Sequence, residues 1–358
     1  MARKVLVAVL NWGLGHAVRS ISVVHAFLEN GDEVMLGGNG ISGEYLRTEF
    51  PQLPYVEFPP FEMSYSAGRS QLWAVLVSLP RILYSSWQDH RFVCRLVRDE
   101  KIDVLFSDNR FGLFCKYCHS IYMTHQLRIK MPSPLSAFEP MLKSMHGFVV
   151  SRFDDCWVPD FPGERNLSGK LSHPKSSLNV RYVGPLSRFD NRFLPKKQYK
   201  YKYLFVLSGV EPQRSIFESK VLRMFAERKD APLSVLVRGV DVRFGHVRVV
   251  PSNLEMEGVL QKKRLSELME NADVVVCRSG YTSVMELASI SHKAVLIPTP
   301  GQTEQEYLSV YLSSRYGQFS ALRQDALSWN NLILSEAGLS EEPFCFDSSL
   351  LRDAVTRI

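Results

Sequence analysis

Unbroken apolar runs, each followed by a glycine or polar turn and then by a helical pattern, recur along the chain. Lys4–Leu10 (KVLVAVL), Val104–Phe106, Tyr203–Leu207, Val274–Cys277 and Ala294–Ile297 lack the polar alternation of a half-exposed sheet. They are expected as strands buried on both faces. Glu33–Gly37, Tyr55–Phe58, Ser120–Thr124, Asp155–Val158, Arg181–Val183, Leu233–Val237 and Val247–Val250 read as further, shorter strands. Helical spacing is expected over Ala17–Glu29, Ser215–Glu227, Lys262–Glu270, Thr282–Ser289 and the tail Asp347–Ile358, with another helix beginning at Gln302. Strands that alternate with helices imply doubly wound parallel sheets in an α/β fold. Ligands of such sheets bind beyond the carboxyl ends of the strands.

Polar clusters stand at those ends. After the first strand come Gly13, Gly15 and His16; the position of a third dinucleotide-fingerprint glycine holds Val18, so a nicotinamide or flavin site is not expected. Gly37–Gly40 reads as a flexible loop on the same edge. Ser107–Gly112 (SDNRFG) follows another strand, and Thr124-His125-Gln126 the next. Asp108, Arg110, His125 and Gln126 are therefore expected to converge with His16, although Asp108 could instead cap a turn and pair with Arg110. In the second half, Ser208-Gly209 opens a turn that leads to Arg214. The Asp273–Tyr307 stretch presents Ser279, Gly280, Thr282, Glu286, Gln302, Thr303, Glu304 and Gln305. That polar rim suits an anionic, hydroxyl-rich ligand. Ser283 and Glu286 also fit a capping box, in which Glu286 would only fold back on its own helix start.

At 358 residues two domains are expected, of roughly 100–200 residues each. The break begins at Gly184–Arg188, Phe193–Lys202 reads as a linker, and Phe161–Asn179 as a polar surface excursion. A hydrophobic content of 45% and a charged content of 22% describe an ordinary globular protein. No apolar window is long enough to span a bilayer, and the start, MARKV, reads as no signal peptide, so a cytoplasmic protein is expected. Gln71–Trp87, interrupted by Pro80, is either a kinked core helix or, with arginines at 69, 81, 91, 95 and 98, an apolar face at an anionic membrane surface. The net charge of +6 comes without a nucleic-acid motif, so no nucleic-acid partner is expected. Cys115-x-x-Cys118 has no second pair, which argues against zinc.

Taken together these segments resemble the GT-B glycosyltransferases, two Rossmann-like domains facing across a cleft. Among them they resemble the peptidoglycan, lipid II-forming UDP-N-acetylglucosaminyltransferases of glycosyltransferase family 28. Gly13-x-Gly15-His16 is similar to the family's N-terminal glycine loop, Thr124-His125-Gln126 to its His-Glu-Gln stretch, and Gly184–Arg188 to its hinge. Ser208-Gly209 is similar to its donor-domain glycine loop, Arg278-Ser279-Gly280-Tyr281-Thr282 through Glu286 to its ribose element, and Gln302–Gln305 to its sugar loop. SDNRFG has no counterpart there, so the acceptor side differs.

The resemblance implies an acceptor domain over 1–187, a donor domain over 188–346 and a C-terminal helix over 347–358. It implies an inverting, metal-independent transfer from a UDP-sugar to a hydroxyl acceptor of envelope or lipid-linked glycan synthesis, with no cofactor beyond that co-substrate. His16 is the implied base, with Asp108 and His125 beside it. Gly13, Gly15 and Gln126 are the implied acceptor side; Asn109 and Arg110, which the resemblance does not cover, are expected there from their place after a strand. Ser208, Gly209 and the Gly280–Thr282 turn would take the pyrophosphate, with Arg188, Arg214, Ser279 and Tyr281 beside them; Glu286 would take the ribose and Gln302, Thr303, Glu304 and Gln305 the sugar. The implied place is the cytoplasm, at the inner face of the membrane. Two alternatives on the same architecture are a UDP-sugar 2-epimerase and a non-catalytic nucleotide-sugar-binding protein.

Overall fold

The computed structural model describes residues 2–11, 13–60, 71–131, 137, 139–173, 179–189, 198–209, 211–240, 250–340 and 349–358, without the side chains of 71–79. The chain divides into two compact units, Met1–Arg188 with Phe346–Ile358, and Phe189–Cys345.

In the first unit the apolar runs form strands β1 (Lys4–Val9), β2 (Glu33–Gly38), β3 (Tyr55–Glu57), β4 (Val104–Asp108), β5 (His119–Met123), β6 (Asp155–Val158) and β7 (Val180–Tyr182). They pair in the order β3-β2-β1-β4-β5-β6-β7, all in parallel. The unbroken runs are explained by double-sided burial: Val5 to Val9 are inaccessible to solvent, as are Leu105 and Phe106. Helix α1 (Leu14–Glu29) covers one face, and helices α2 (Gly40–Glu49), α3 (Gln71–Glu100) and α4 (Glu139–Val150) follow. Chain direction across this sheet reverses between β1 and β4, which makes their carboxyl ends the topological switch point.

In the second unit β8 (Tyr201–Val206), α5 (Gln213–Glu227), β9 (Ser234–Val237), β10 (Leu254–Glu257), α6 (Lys262–Glu270), β11 (Ala272–Cys277), α7 (Tyr281–Ile290), β12 (Ala294–Leu296), α8 (Thr303–Ser313), β13 (Phe319–Ala321) and α9 (Trp329–Glu336) alternate. The parallel sheet runs β10-β9-β8-β11-β12-β13, with its switch point between β8 and β11. The final helix, α10 (Ser349–Thr356), packs on α1 of the first unit, where Arg3 donates to Asp32 (2.6 Å) and to the carbonyl of Val355 (3.2 Å).

Three expectations need correction. The flexible loop at Gly37–Gly40 ends in α2, whose polar sequence carries little apolar periodicity. Helix α1 begins at Leu14, three residues before Ala17, because Gly13 takes the N-cap with φ of 93°. The Phe161–Asn179 excursion is buried in part: Leu167, Ser168 and Ser172 are inaccessible. The buried carboxylate of Asp160 accepts the backbone N–H groups of Phe161 and Leu167 (2.8 Å each) and of Ser168 (2.9 Å), which folds these polar residues inward. The strand expected at Val247–Val250 falls mainly outside the described residues, as does half of the Phe193–Lys202 linker, whose last two residues already belong to β8.

Candidate functional site

At the switch point of the first unit β1 and β4 run in register, Val9 beside Asp108. Asp108 ends its strand with no solvent exposure, and Asn109 turns the chain away in a left-handed conformation, φ 59°. That turn is held from two sides. The Asn109 N–H donates to the carbonyl of Met123 (3.2 Å), and the Tyr122 hydroxyl donates to Asn109 Oδ1 (2.7 Å). Asparagine tolerates such a φ better than other non-glycine residues. Asp108 is thereby left facing the first turn of α1.

Four polar side chains meet there. His16 Nδ1 donates to Asp108 Oδ1 at 3.0 Å. Arg19 donates through Nε to Asp108 Oδ2 at 2.8 Å and through Nη2 to Oδ1. Ser20 Oγ donates to Oδ2 at 3.2 Å, and Arg19 Nη1 lies 3.1 Å from Nδ1 of His125. Burial alone would push the Asp108 carboxyl up. The charges of Arg19 and His16 outweigh it and hold the carboxyl well below the ordinary carboxylate range. Burial and the cation of Arg19 press the His16 pKa below 6.5 against the pull of Asp108. His16 is therefore neutral at neutral pH, with Nδ1 carrying the proton and Nε2 a lone pair. Such a group can accept a proton from a hydroxyl.

Of the other residues expected on this side, Gly13 and Gly15 lie at the start of α1. Gln126 donates its backbone N–H to Thr124 Oγ1 at 3.1 Å. Arg110 is placed elsewhere. Its guanidinium is buried against α3, donating to both carboxylate oxygens of Asp89 at 3.0 and 2.7 Å and lying 4.7 Å from the Phe58 ring centre. The expected pairing with Asp108 is taken by Arg19 instead. A helix start at Leu14 puts Arg19 one turn after His16 on the same face; a start at Ala17 hides that relation.

At the switch point of the second unit, Ser208 and Gly209 leave β8 exposed, with Gly209 at φ 98°. Ser279 and Gly280 leave β11, and Gly280 is the N-cap of α7. Helix α7 thus starts at Tyr281, two residues before Ser283, so Ser283 is no cap and Glu286 closes no capping box. Glu286 is instead a second-turn residue, only 5% exposed and close to Cys277, whose thiol is pushed up to about 12 by burial and by that carboxylate.

The third loop is tied to the second. Ser279 Oγ donates to the carbonyl of Gln305 (2.8 Å), and Gln305 Oε1 accepts the N–H of Thr299 (2.9 Å). Gln302, Thr303, Glu304 and Gln305 are partly exposed at the start of α8. Arg278 braces all three loops from beneath. It donates to the carbonyls of Ile297 and Pro298 (3.3 Å each) and of Gln213 (2.9 Å), and lies 4.7 Å from the Phe217 ring centre. Burial pulls its pKa down to about 10, still leaving it a cation at neutral pH beside the N-terminus of α7, which favours anions. Arg214 is engaged inside the unit, donating to Glu211 and Glu218 at 2.6 Å each. Arg188, the last residue of the first unit, donates to the Tyr45 hydroxyl at 3.0 Å.

Comparison with known proteins bears on both units. The family model described as "Glycosyltransferase family 28 C-terminal domain" matches residues 241–339, which take in both turns after β11 and β12. An uncharacterized glycosyltransferase of Methanosarcina acetivorans is 22% identical over 316 residues, 85% of this chain and 79% of that protein. The UDP-N-acetylglucosamine–N-acetylmuramyl-(pentapeptide) pyrophosphoryl-undecaprenol N-acetylglucosamine transferase of a Polaromonas species is 24% identical over 296 residues, 81% of this chain and 71% of that one. Among solved structures, the glycotransferase of kitacinnamycin superposes with a TM-score of 0.64 at 15% identity, covering 100% of this chain and 95% of its own. MurG of Acinetobacter baumannii gives 0.59 at 13% identity, covering 99% and 100%. At such identities the structures establish the fold, which is GT-B.

Proposed function

We propose that this chain, a GT-B glycosyltransferase that resembles the lipid II-forming transferases, moves a hexose or N-acetylhexosamine from a UDP-sugar to a hydroxyl of a glycan or lipid-linked acceptor. The transfer inverts the anomeric centre and uses no resident metal. The observation that carries this reading is the 3.0 Å contact of His16 Nδ1 with Asp108, at a sheet switch point, on a histidine whose pKa lies below its ordinary value. His16 Nε2 takes the proton of the acceptor hydroxyl as that oxygen attacks the anomeric carbon. The bond to the diphosphate breaks and its electron pair leaves with the nucleotide. Gly13, Gly15, Asn109, His125 and Gln126 line the acceptor side.

On the second unit Ser208, Gly209 and the Ser279–Thr282 turn receive the diphosphate, and Arg278 beneath it supplies positive charge where negative charge grows. Tyr281, the first residue of α7, belongs to the same turn, and Arg188 is assigned to the donor by the family resemblance of its Gly184–Arg188 segment. Glu286 accepts the ribose hydroxyls, and Gln302, Thr303, Glu304 and Gln305 contact the sugar. Glu286 stands in the second turn of α7, behind the Gly280 N-cap and close to the Ser279–Thr282 turn in the chain, and does not close a capping box there.

A thermal-shift series with UDP-, GDP-, CMP- and dTDP-sugars tests the donor. At 100-fold excess over Kd a ligand of the folded state adds about 2.7 kcal/mol, and the UDP-sugars are expected to raise the midpoint most. Glu286→Gln should weaken UDP-sugar binding by about 10–100-fold, the worth of a hydrogen bond to a charged group. A flat series, or an unchanged affinity in the variant, overturns the donor assignment.

The same reading includes peripheral contact with an anionic membrane. No helix among the described residues is long and apolar enough to cross a bilayer. On α3, Leu83, Tyr84 and Trp87 are 61%, 60% and 52% exposed, with Arg91 4.9 Å from the Trp87 ring centre. Leu83, Trp87 and His90 share one helical stripe. His90 stacks on Phe114 (4.3 Å), which also meets Arg152, and Arg152 lies 4.4 Å from exposed Phe148 of α4. Exposed aromatic rings beside arginines suit the headgroup layer. Full-length protein should co-sediment with vesicles that contain phosphatidylglycerol and less with phosphatidylcholine alone. Trp87→Ser combined with Phe148→Ser should abolish the difference; binding indifferent to both changes removes the membrane contact.

A further inference from the structure

The two histidines at the switch point of the first unit touch the same arginine, and His16 also touches the carboxylate of Asp108. Arg19 is 2% exposed and sits between them, one turn after His16 on α1 and across from the turn after β5 that carries His125. A guanidinium has donors and no acceptor. The 3.1 Å approach of Arg19 Nη1 to His125 Nδ1 therefore fixes a lone pair on that nitrogen and the ring proton on Nε2. An ionised carboxylate only accepts, so the 3.0 Å contact with Asp108 fixes the opposite arrangement on His16, a proton on Nδ1 and a lone pair on Nε2. Arg19 Nη2 also stands 3.0 Å from His16 Nδ1, as near as Nη1 is to His125 Nδ1, so what separates the two rings is Asp108, whose carboxylate accepts from Arg19 Nε and from His16 Nδ1 alike.

We propose that Arg19 is a positioning residue that divides the two histidines into opposite roles, Nε2 of His16 accepting a proton and Nε2 of His125 donating a hydrogen bond to the bound acceptor. This rests on the transferase reading of the same site. The groups facing His16 are Asp108 from β4, Arg19 from its own helix and His125 from the turn after β5. Asp108 favours a charged ring and Arg19 disfavours it, so the arginine keeps the base neutral at working pH while leaving Asp108 to orient it. Arg19 touches neither donor nor acceptor in this scheme.

Nitrogen-15 correlation spectra of the wild-type imidazoles test the proton arrangement without substrate. His16 is expected as the Nδ1–H tautomer and His125 as the Nε2–H tautomer; the same tautomer on both, or a protonated His16 at pH 7, overturns the proposal. Activity against pH supplies the second arm. Arg19→Gln removes the opposing charge, so the acid limb of kcat/KM should move to higher pH, with the KM for UDP-sugar unchanged. Arg19→Lys keeps the charge but cannot reach Asp108 and His125 together. Its limb should stay in place while kcat falls on the order of 10²-fold, the cost of a misplaced group. A limb that does not move in Arg19→Gln overturns the proposal, and if that variant does not fold the wild-type spectra still decide. Opposite tautomers in a protein that transfers no sugar would leave the proton arrangement standing and sink the transferase reading alone.

Discussion

Replacing His16 with alanine should lower kcat by about 10²–10⁴-fold, the contribution of a positioned general base, and leave the Kd for UDP-sugar unchanged. The split follows from the two units: the proposed base stands on α1, and the proposed donor contacts stand on the loops after β8, β11 and β12. The pH profile adds a sign. His16 has its pKa below 6.5, so its neutral form predominates at pH 7 and is lost as pH falls through that lowered value. Wild-type kcat/KM should therefore have an acid limb centred below 6.5, and the limb should vanish in His16→Ala. A fall in kcat of less than tenfold would assign the proton to another group. A limb centred at 6.5 or above would mean that burial and Arg19 do not set the pKa.

How much of this was legible beforehand depended on how each feature is encoded. The buried strands could be read because parallel strands covered on both faces are nearly continuous apolar runs, and Val274–Cys277 or Lys4–Leu10 have few other uses. The position of His16 and Asp108 at one sheet edge followed from the same runs, since Asp108 ends one strand and His16 stands in the first turn of the helix that follows another. Helix α2 was missed because GISGEYLRTE carries glycines and little apolar stripe, and it is held by tertiary contacts such as Ser42 Oγ donating to the carbonyl of Gly13. The burial of Leu167 to Ser172 was missed because it depends on one carboxylate, Asp160, gathering backbone donors from several residues.

Charged residues were the least legible, and for one reason. A side chain that serves a ligand and one that serves the fold have the same letter. Arg110 and Arg214 stand at the expected strand ends, yet each meets a buried carboxylate of its own unit, Asp89 and Glu218. Arg19 gave no signal by composition; its role depends on where α1 starts, and that start is set by the positive φ of Gly13. The second unit was more legible than the first because its turn residues match a family pattern, and the family 28 C-terminal domain model matches over the turns after β11 and β12. The switch point of the first unit is organised by SDNRFG, whose asparagine turn and buried ion pairs belong to this chain's own packing.

Asp108→Asn should be among the most destabilising single changes in the first unit, at about 3–5 kcal/mol, because it leaves a buried guanidinium without its counter-charge. Arg19 is 2% exposed and Asp108 fully buried, so solvent cannot take over the lost partner. Wild type, Asp108→Asn, Arg19→Met and the double variant, unfolded in urea, form a cycle that separates the pair from its setting. Both single variants should lose stability, and the double variant should recover part of it, since neither charge is then left buried without its partner. The folded-state pKa of Asp108 lies below its unfolded value, near 3.8. The stabilisation is therefore complete above that value and is lost as pH falls below it, so wild type and Asp108→Asn should converge in acid. A single-variant cost below about 1 kcal/mol, the worth of an exposed pair, would mean that Arg19 and Asp108 are solvated in the folded protein. The orientation of His16 would then have to come from another contact.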